Sequence, residues 1–65
     1  MEHIQLPLRE LRRARKLTQA RVAQEVGISY PAYRRYESGQ RDIPLSVAIR
    51  LADLFQVSLD KLAGR

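Results

Sequence analysis

Apolar residues recur along this chain three and four positions apart, and no stretch alternates apolar with polar as a strand does. Leu8 and Leu11 share one face of a segment opened by Pro7, whose missing N–H suits a first helical position. The spacing predicts a first helix over Pro7–Lys16, with Ile4 packing below it. Thr18, Ser29 and Ser58 are good N-caps, and each has an apolar residue just before it and another at the fourth helical position. The pairs are Leu17 with Val22, Ile28 with Tyr33, and Val57 with Leu62. This is the hydrophobic staple, repeated three times, and it predicts helices over Gln19–Val26, Tyr30–Ser38 and Leu59–Ala63. Gly27 and Gly39 supply left-handed residues to end the first two of these. Between them and the last, Pro44 opens a helix over Leu45–Phe55 whose inward residues are expected to be Leu45, Ala48, Leu51, Ala52 and Phe55. The reading is an all-α chain of five helices with short connections, one domain over residues 1–65.

Helices 2 and 3 are separated only by Gly27, Ile28 and Ser29. A short turn beginning with glycine between two short helices is the pattern of a helix-turn-helix, spanning about residues 18–38. Winding helix 3 at about 100° per residue from Tyr30 puts Ala32, Tyr33 and Tyr36 on an inward stripe. Tyr30, Pro31, Arg34, Arg35 and Ser38 fall outward, and Glu37 falls on the border. The outward face thus has two arginines and no acid.

Charge sharpens the picture. The chain has 12 Lys and Arg against 7 Asp and Glu, a net +5, and ten of the cations are arginine. Residues 1–41 hold nine cations and four anions, while the remainder holds three of each. Arginine makes forked bonds to phosphate and guanine, so the basic two-thirds points to an anionic partner. The major groove admits an α-helix, which suits Tyr30, Pro31, Arg34 and Arg35 to base edges. Phosphate contacts are expected to flank them, from Thr18 and Gln19 at the start of helix 2, from Ser38, and from Gln40 and Arg41 in the loop after helix 3. Arg9, Arg13, Arg15, Lys16 and Arg21 add long-range attraction.

Composition also excludes. A chain of 65 residues buries only about 60% of its unfolded surface, so its core is marginal. There is no cysteine, and His3 is the only histidine, so neither a disulfide nor a Cys/His metal site can reinforce it. With no nucleophile–base set, no metal cluster and no phosphate-cradling loop, the chain is not expected to be an enzyme. No cofactor, metal or small-molecule ligand is expected. No apolar run approaches the ~20 residues of a membrane span, and no signal peptide is evident, so a cytoplasmic location is expected.

The run from Leu8 to Leu62 resembles the phage lambda repressor and Cro-like helix-turn-helix family, the xenobiotic-response-element class. The resemblance rests on LTQ…VA..VGIS, on YESG after helix 3 and on the closing VSLDKL. It implies a compact five-helix domain that binds a palindromic operator in double-stranded DNA, usually as a two-fold dimer. By position it makes Gln19 a phosphate ligand, Tyr30, Pro31 and Arg35 base readers with Arg34 beside them, and Gln40 and Arg41 a phosphate-binding loop. It also implies a partly buried Arg12–Glu37 pair tying helix 1 to helix 3. Arg21 departs from the glutamate common in the family's capping box, and Tyr30 and Pro31 replace its small or amide residues. The expected function is transcriptional regulation, as a repressor. The alternative is an antitoxin or other protein-interaction module on the same fold. Apolar residues on several sides of helix 4, namely Leu45, Val47, Ile49 and Leu54, favour a weak homodimer made with helix 5.

Overall fold

The structure, a computed structural model, describes residues 7–62, the side chain of Lys61 aside. The expectations for Ile4 and Ala63 lie outside the described residues. Among those described, all regular structure is helical: α1 Leu8–Ala14, α2 Gln19–Val26, α3 Tyr30–Glu37, α4 Leu45–Phe55 and α5 Leu59–Leu62. The first four have at least seven residues, and the short fifth helix expected over Leu59–Ala63 is a single turn over Leu59–Leu62. Its Leu62 N–H donates to the Ser58 carbonyl at 2.9 Å.

The helices share one way of stopping. Lys16, Gly27, Gly39 and Gln56 all take left-handed backbone, with φ of 57°, 74°, 78° and 56°. At each, the next N–H reaches back to a carbonyl of the last helical turn: Leu17 to Arg12, Ile28 to Ala23, Gln40 to Arg35 and Val57 to Ala52. That bond satisfies a carbonyl the helix end leaves open. In three cases the donor is apolar and packs against the core (Leu17, Ile28, Val57). These residues close one helix and fix the entry to the next, which is why connections of three or four residues suffice. The caps follow: Thr18 Oγ1 accepts from the Arg21 N–H at 3.0 Å, and Ser29 Oγ from the Ala32 N–H at 3.1 Å.

Three helix ends differ from the sequence reading. α1 starts after Pro7, which acts as its N-cap, and stops at Ala14 because Lys16 turns left-handed. α3 stops at Glu37, with Ser38 as its C-cap.

Every helix contributes to one core of Leu8, Val22, Ala23, Val26, Tyr33, Val47, Leu51, Ala52, Phe55 and Leu62. α2 lies at the centre, packed against α3 and α4, and α5 closes on α4. The inward face of α4 is corrected. Leu45 is 67% exposed, Ala48 is half-buried and Val47 is buried. Counted at about 100° per residue from Leu51, Val47 and Phe55 flank it at roughly 40°, whereas Leu45 lies near 120° and Ile49 near 160°. Leu45 and Ile49 therefore form a second, outer apolar face. Leu54, which the sequence grouped with them, packs against the core instead.

Candidate nucleic-acid interface

The site is built around one buried acid. Glu37 ends α3 and is 5% exposed. Its carboxylate accepts from Arg12 Nε at 2.9 Å and from Arg12 Nη2 at 3.0 Å, a forked pair from α1. It also accepts from Gln19 Nε2 at 3.0 Å, at the first position of α2. Arg9 Nε lies 3.6 Å away on the outer side. The remaining Arg12 nitrogen, Nη1, donates to the Leu17 carbonyl at 2.8 Å. Three helices thus meet at one carboxylate, and Glu37 stands inside the fold rather than on its border.

Burial alone would raise the Glu37 carboxyl. The Arg12 hydrogen bonds, with the Gln19 bond and the Arg12 charge adding to them, more than offset burial and hold it below the usual carboxylate range. The same bonds from Glu37 raise Arg12 against its own desolvation. Tyr33 lies fully buried beside this pair. Its hydroxyl meets no hydrogen-bond partner within bonding geometry. Burial first, and the Glu37 charge second, push that hydroxyl well above its ordinary range.

The network continues outward. Gln19 gives its amide nitrogen to Glu37, so its oxygen faces away and accepts from the Tyr30 hydroxyl at 3.5 Å. The Arg34 guanidinium lies over the Tyr30 ring, 5.6 Å from its centroid. Tyr30, Pro31, Arg34 and Arg35 are all exposed. An open cleft of about 380 Å³ runs along this face, lined by Gln19, Pro31, Arg34, Arg35, Ser38 and Gln40 with Glu37 at its inner wall. Six of the residues singled out in the sequence as DNA contacts therefore line one surface, and Tyr30 joins it through Gln19. Ser38 turns its hydroxyl to the Arg35 carbonyl at 3.2 Å. Thr18 is not among the cleft residues: it lines a neighbouring depression with Lys16, Leu17 and Arg21. Arg41 is exposed in the loop beyond α3 and does not line the cleft.

The helix pair α2–α3, its glycine turn and the arginine face of α3 have the geometry of a DNA-reading unit. The model of the helix-turn-helix family matches residues 8–62, nearly the whole chain. The chain belongs to the repressor and Cro-like helix-turn-helix family. Among curated relatives, the transcriptional repressor RstR of the cryptic phage CTXphi in Vibrio cholerae is 41% identical over 54 residues, covering 83% of this chain and 48% of that protein. The HTH-type transcriptional regulator YobD of Bacillus subtilis is 40% identical over 57 residues, 88% of this chain and 51% of its own length. The chain spans about half the length of the curated relatives it matches. Among solved structures, the restriction-modification controller protein C.AhdI from Aeromonas hydrophila superposes with a TM-score of 0.79 at 33% identity, covering 85% of this chain and 83% of that one.

The fold also places residues that sequence reasoning left unplaced. Arg9 lines the cleft, where only long-range attraction was expected of it. Its signal was the three-residue spacing to Arg12, which sets both on one side of α1. Arg15 turns the other way, donating to the Phe55 carbonyl at 2.8 Å and to Gln56 Oε1 at 3.3 Å. Arg21 pairs with Glu25 at 3.0 Å along α2. Arg50 donates to the Val26 carbonyl at 3.2 Å, beside the turn. None of the described helices is long and apolar enough to cross a membrane.

Proposed function

We propose that this chain is a DNA-binding module, not an enzyme, which reads double-stranded DNA by laying α3 in the major groove and serves a transcriptional regulator acting as a repressor. One observation carries the reading: the only acid of α3, Glu37, is buried and paired, so the helix presents an exposed face of Tyr30, Pro31, Arg34 and Arg35 without negative charge. Such a face meets the acceptor-rich edge of guanine and the phosphates on either side without repulsion. Gln19 spends one amide hydrogen on Glu37, and its second is left for a backbone phosphate. Thr18, Ser38, Gln40 and Arg41 flank α3 at both ends and take phosphates of the same groove. Arg12 and Glu37 are structural: they fix α1 and α2 against the end of α3.

The outer face of α4, with Leu45 67% and Ile49 44% exposed, and Leu59 of α5 at 43%, forms the contact of a homodimer. Two such modules related by a two-fold axis read a palindrome whose half-sites lie about one helical turn, ~34 Å, apart.

The experiment is selection from a randomised duplex pool at fixed, near-physiological salt. A palindromic enriched sequence supports the reading. Arg35→Ala then abolishes preference for that sequence, while Arg41→Ala weakens all sequences alike and lowers the salt slope by about one. An unenriched pool, or full operator affinity in Arg35→Ala, overturns it.

A further inference from the structure

We infer that Tyr30 and Arg34 form a single recognition element, in which the Tyr30 ring holds the Arg34 guanidinium in place so that its free edge reads one guanine. The inference rests on the reading of α3 as the helix that enters the major groove. Side chains of a helix lean toward its N-terminus, so Arg34 reaches back over the residue four positions earlier. That residue is Tyr30, and the guanidinium stands 5.6 Å from its ring centroid, within the ~6 Å of a cation–π contact.

What matters is which part of the arginine this contact uses. A salt bridge would occupy the N–H fork, as happens at Arg12, whose three nitrogens are spent on Glu37 and the Leu17 carbonyl. The contact with the ring uses the guanidinium charge and consumes no N–H. The in-plane N–H donors stay free, and they match the O6 and N7 acceptors of guanine.

The platform is itself anchored. The Tyr30 hydroxyl donates to Gln19, Gln19 donates to Glu37, and Glu37 is held by the Arg12 fork. The contact brings the Arg34 head toward the first turn of α3, the end that usually meets base edges. Arg34 is therefore a residue that determines specificity at one base pair, beside Arg35, and Tyr30 is a positioning residue that acts through it.

The test starts from the duplex selected by the wild-type protein and measures affinity for variants of it at each base pair. Wild type is expected to prefer guanine at one position by about tenfold or more, the discrimination of a forked arginine contact. Arg34→Lys removes the fork and Tyr30→Leu removes the platform, and each collapses that preference to within about twofold at the same base pair. The double variant loses no more than either alone. Tyr30→Phe keeps the ring, loses only the hydroxyl anchor, and keeps most of the preference. Additive losses, losses at different base pairs, or a Tyr30→Phe as damaged as Tyr30→Leu each overturn the inference while leaving sequence-specific binding intact. Wild type that enriches no sequence overturns that underlying reading, and this one with it.

Discussion

Replacing Glu37 by glutamine changes one atom and removes one charge. The side chain keeps its volume, so no cavity opens. What is lost is the acceptor for the Arg12 fork, at 2.9 and 3.0 Å, in a site where Glu37 is 5% exposed and the Arg12 side chain 13%. The glutamine nitrogen now faces either Arg12 or Gln19, donor against donor. Breaking a buried pair by removing one partner costs about 3–5 kcal/mol, because the other charge stays behind unpaired. Arg12 keeps its bond to the Leu17 carbonyl and retains a little solvent, so the low end of that range, about 3 kcal/mol, applies. A domain of this size has roughly 3–10 kcal/mol to lose. In thermal terms about 3 kcal/mol lowers the midpoint by roughly 12–24 °C for a chain this short. Far-UV circular dichroism during thermal and urea unfolding reads both quantities. An unchanged urea slope would show that the native state, not the denatured one, was altered. Arg12→Met combined with Glu37→Gln removes the stranded charge and should recover part of the loss. A Glu37→Gln protein that melts within about 3 °C of wild type would refute the reasoning, because a buried charge left unpaired cannot be that cheap.

Other outcomes follow from the same atoms. The Glu37 carboxyl titrates below its unfolded range, so its contribution is complete above about pH 5 and disappears as pH falls through the carboxylate range, the unfolded chain taking up the proton first. Melting temperature should fall from about pH 5 toward pH 3, and the fall should be shallower in Glu37→Gln. Tyr33 has the opposite sign: its hydroxyl titrates above the unfolded value, so stability declines once pH passes about 10, and Tyr33→Phe should flatten that limb. Because the hydroxyl meets no partner within bonding geometry, Tyr33→Phe should also cost less than about 1 kcal/mol at neutral pH or stabilise, as urea unfolding would show. Lys16→Gly should stabilise by about 0.5–1 kcal/mol, since φ of 57° is costly for a residue with a Cβ and glycine takes it freely. A loss of stability on that change would mean the Lys16 side chain has a packing role.

Much of this architecture was legible because it is local. A cap, a staple and a glycine sit within a few residues of the turn they make, so Gly27 and Ser29 announce their turn directly. Lys16 and Gln56 take the same left-handed backbone as Gly27, yet nothing in their chemistry says so. At Gln56 the conformation is supported from 40 residues away, where Arg15 holds the Phe55 carbonyl and the Gln56 side chain. The overlong α1 has a simpler cause: lysine at position 16 gives no sign of its left-handed turn, whereas Gly27 marks the end of α2. The inward face of α4 failed for another reason. Ser46, Arg50 and Asp53 mark one polar side at roughly 200–260° from Leu51, but Leu45 and Val47 lie almost equally far from it on either flank, so periodicity alone does not choose between them. The outward face of α3 was easier, because only one of its sides carries arginine.

The position of Glu37 joins these two kinds of fact. As a sequence feature it is the one acid in a helix meant for DNA, where a carboxylate would repel phosphate. The fold resolves that conflict by turning the acid inward and using its charge as the point where α1, α2 and α3 are tied. The tie then reaches the surface again, because Gln19, held by Glu37 on one side, offers its oxygen to Tyr30 on the other. On the proposed reading of α3, stability and recognition draw on the same carboxylate. A substitution there should disturb the DNA-facing surface even in molecules that remain folded, whereas Arg34 or Arg35, which touch solvent, can change without cost to the core. If the exposed arginines read the operator as proposed, its sequence preference can change at them while the buried acid beneath keeps the fold intact.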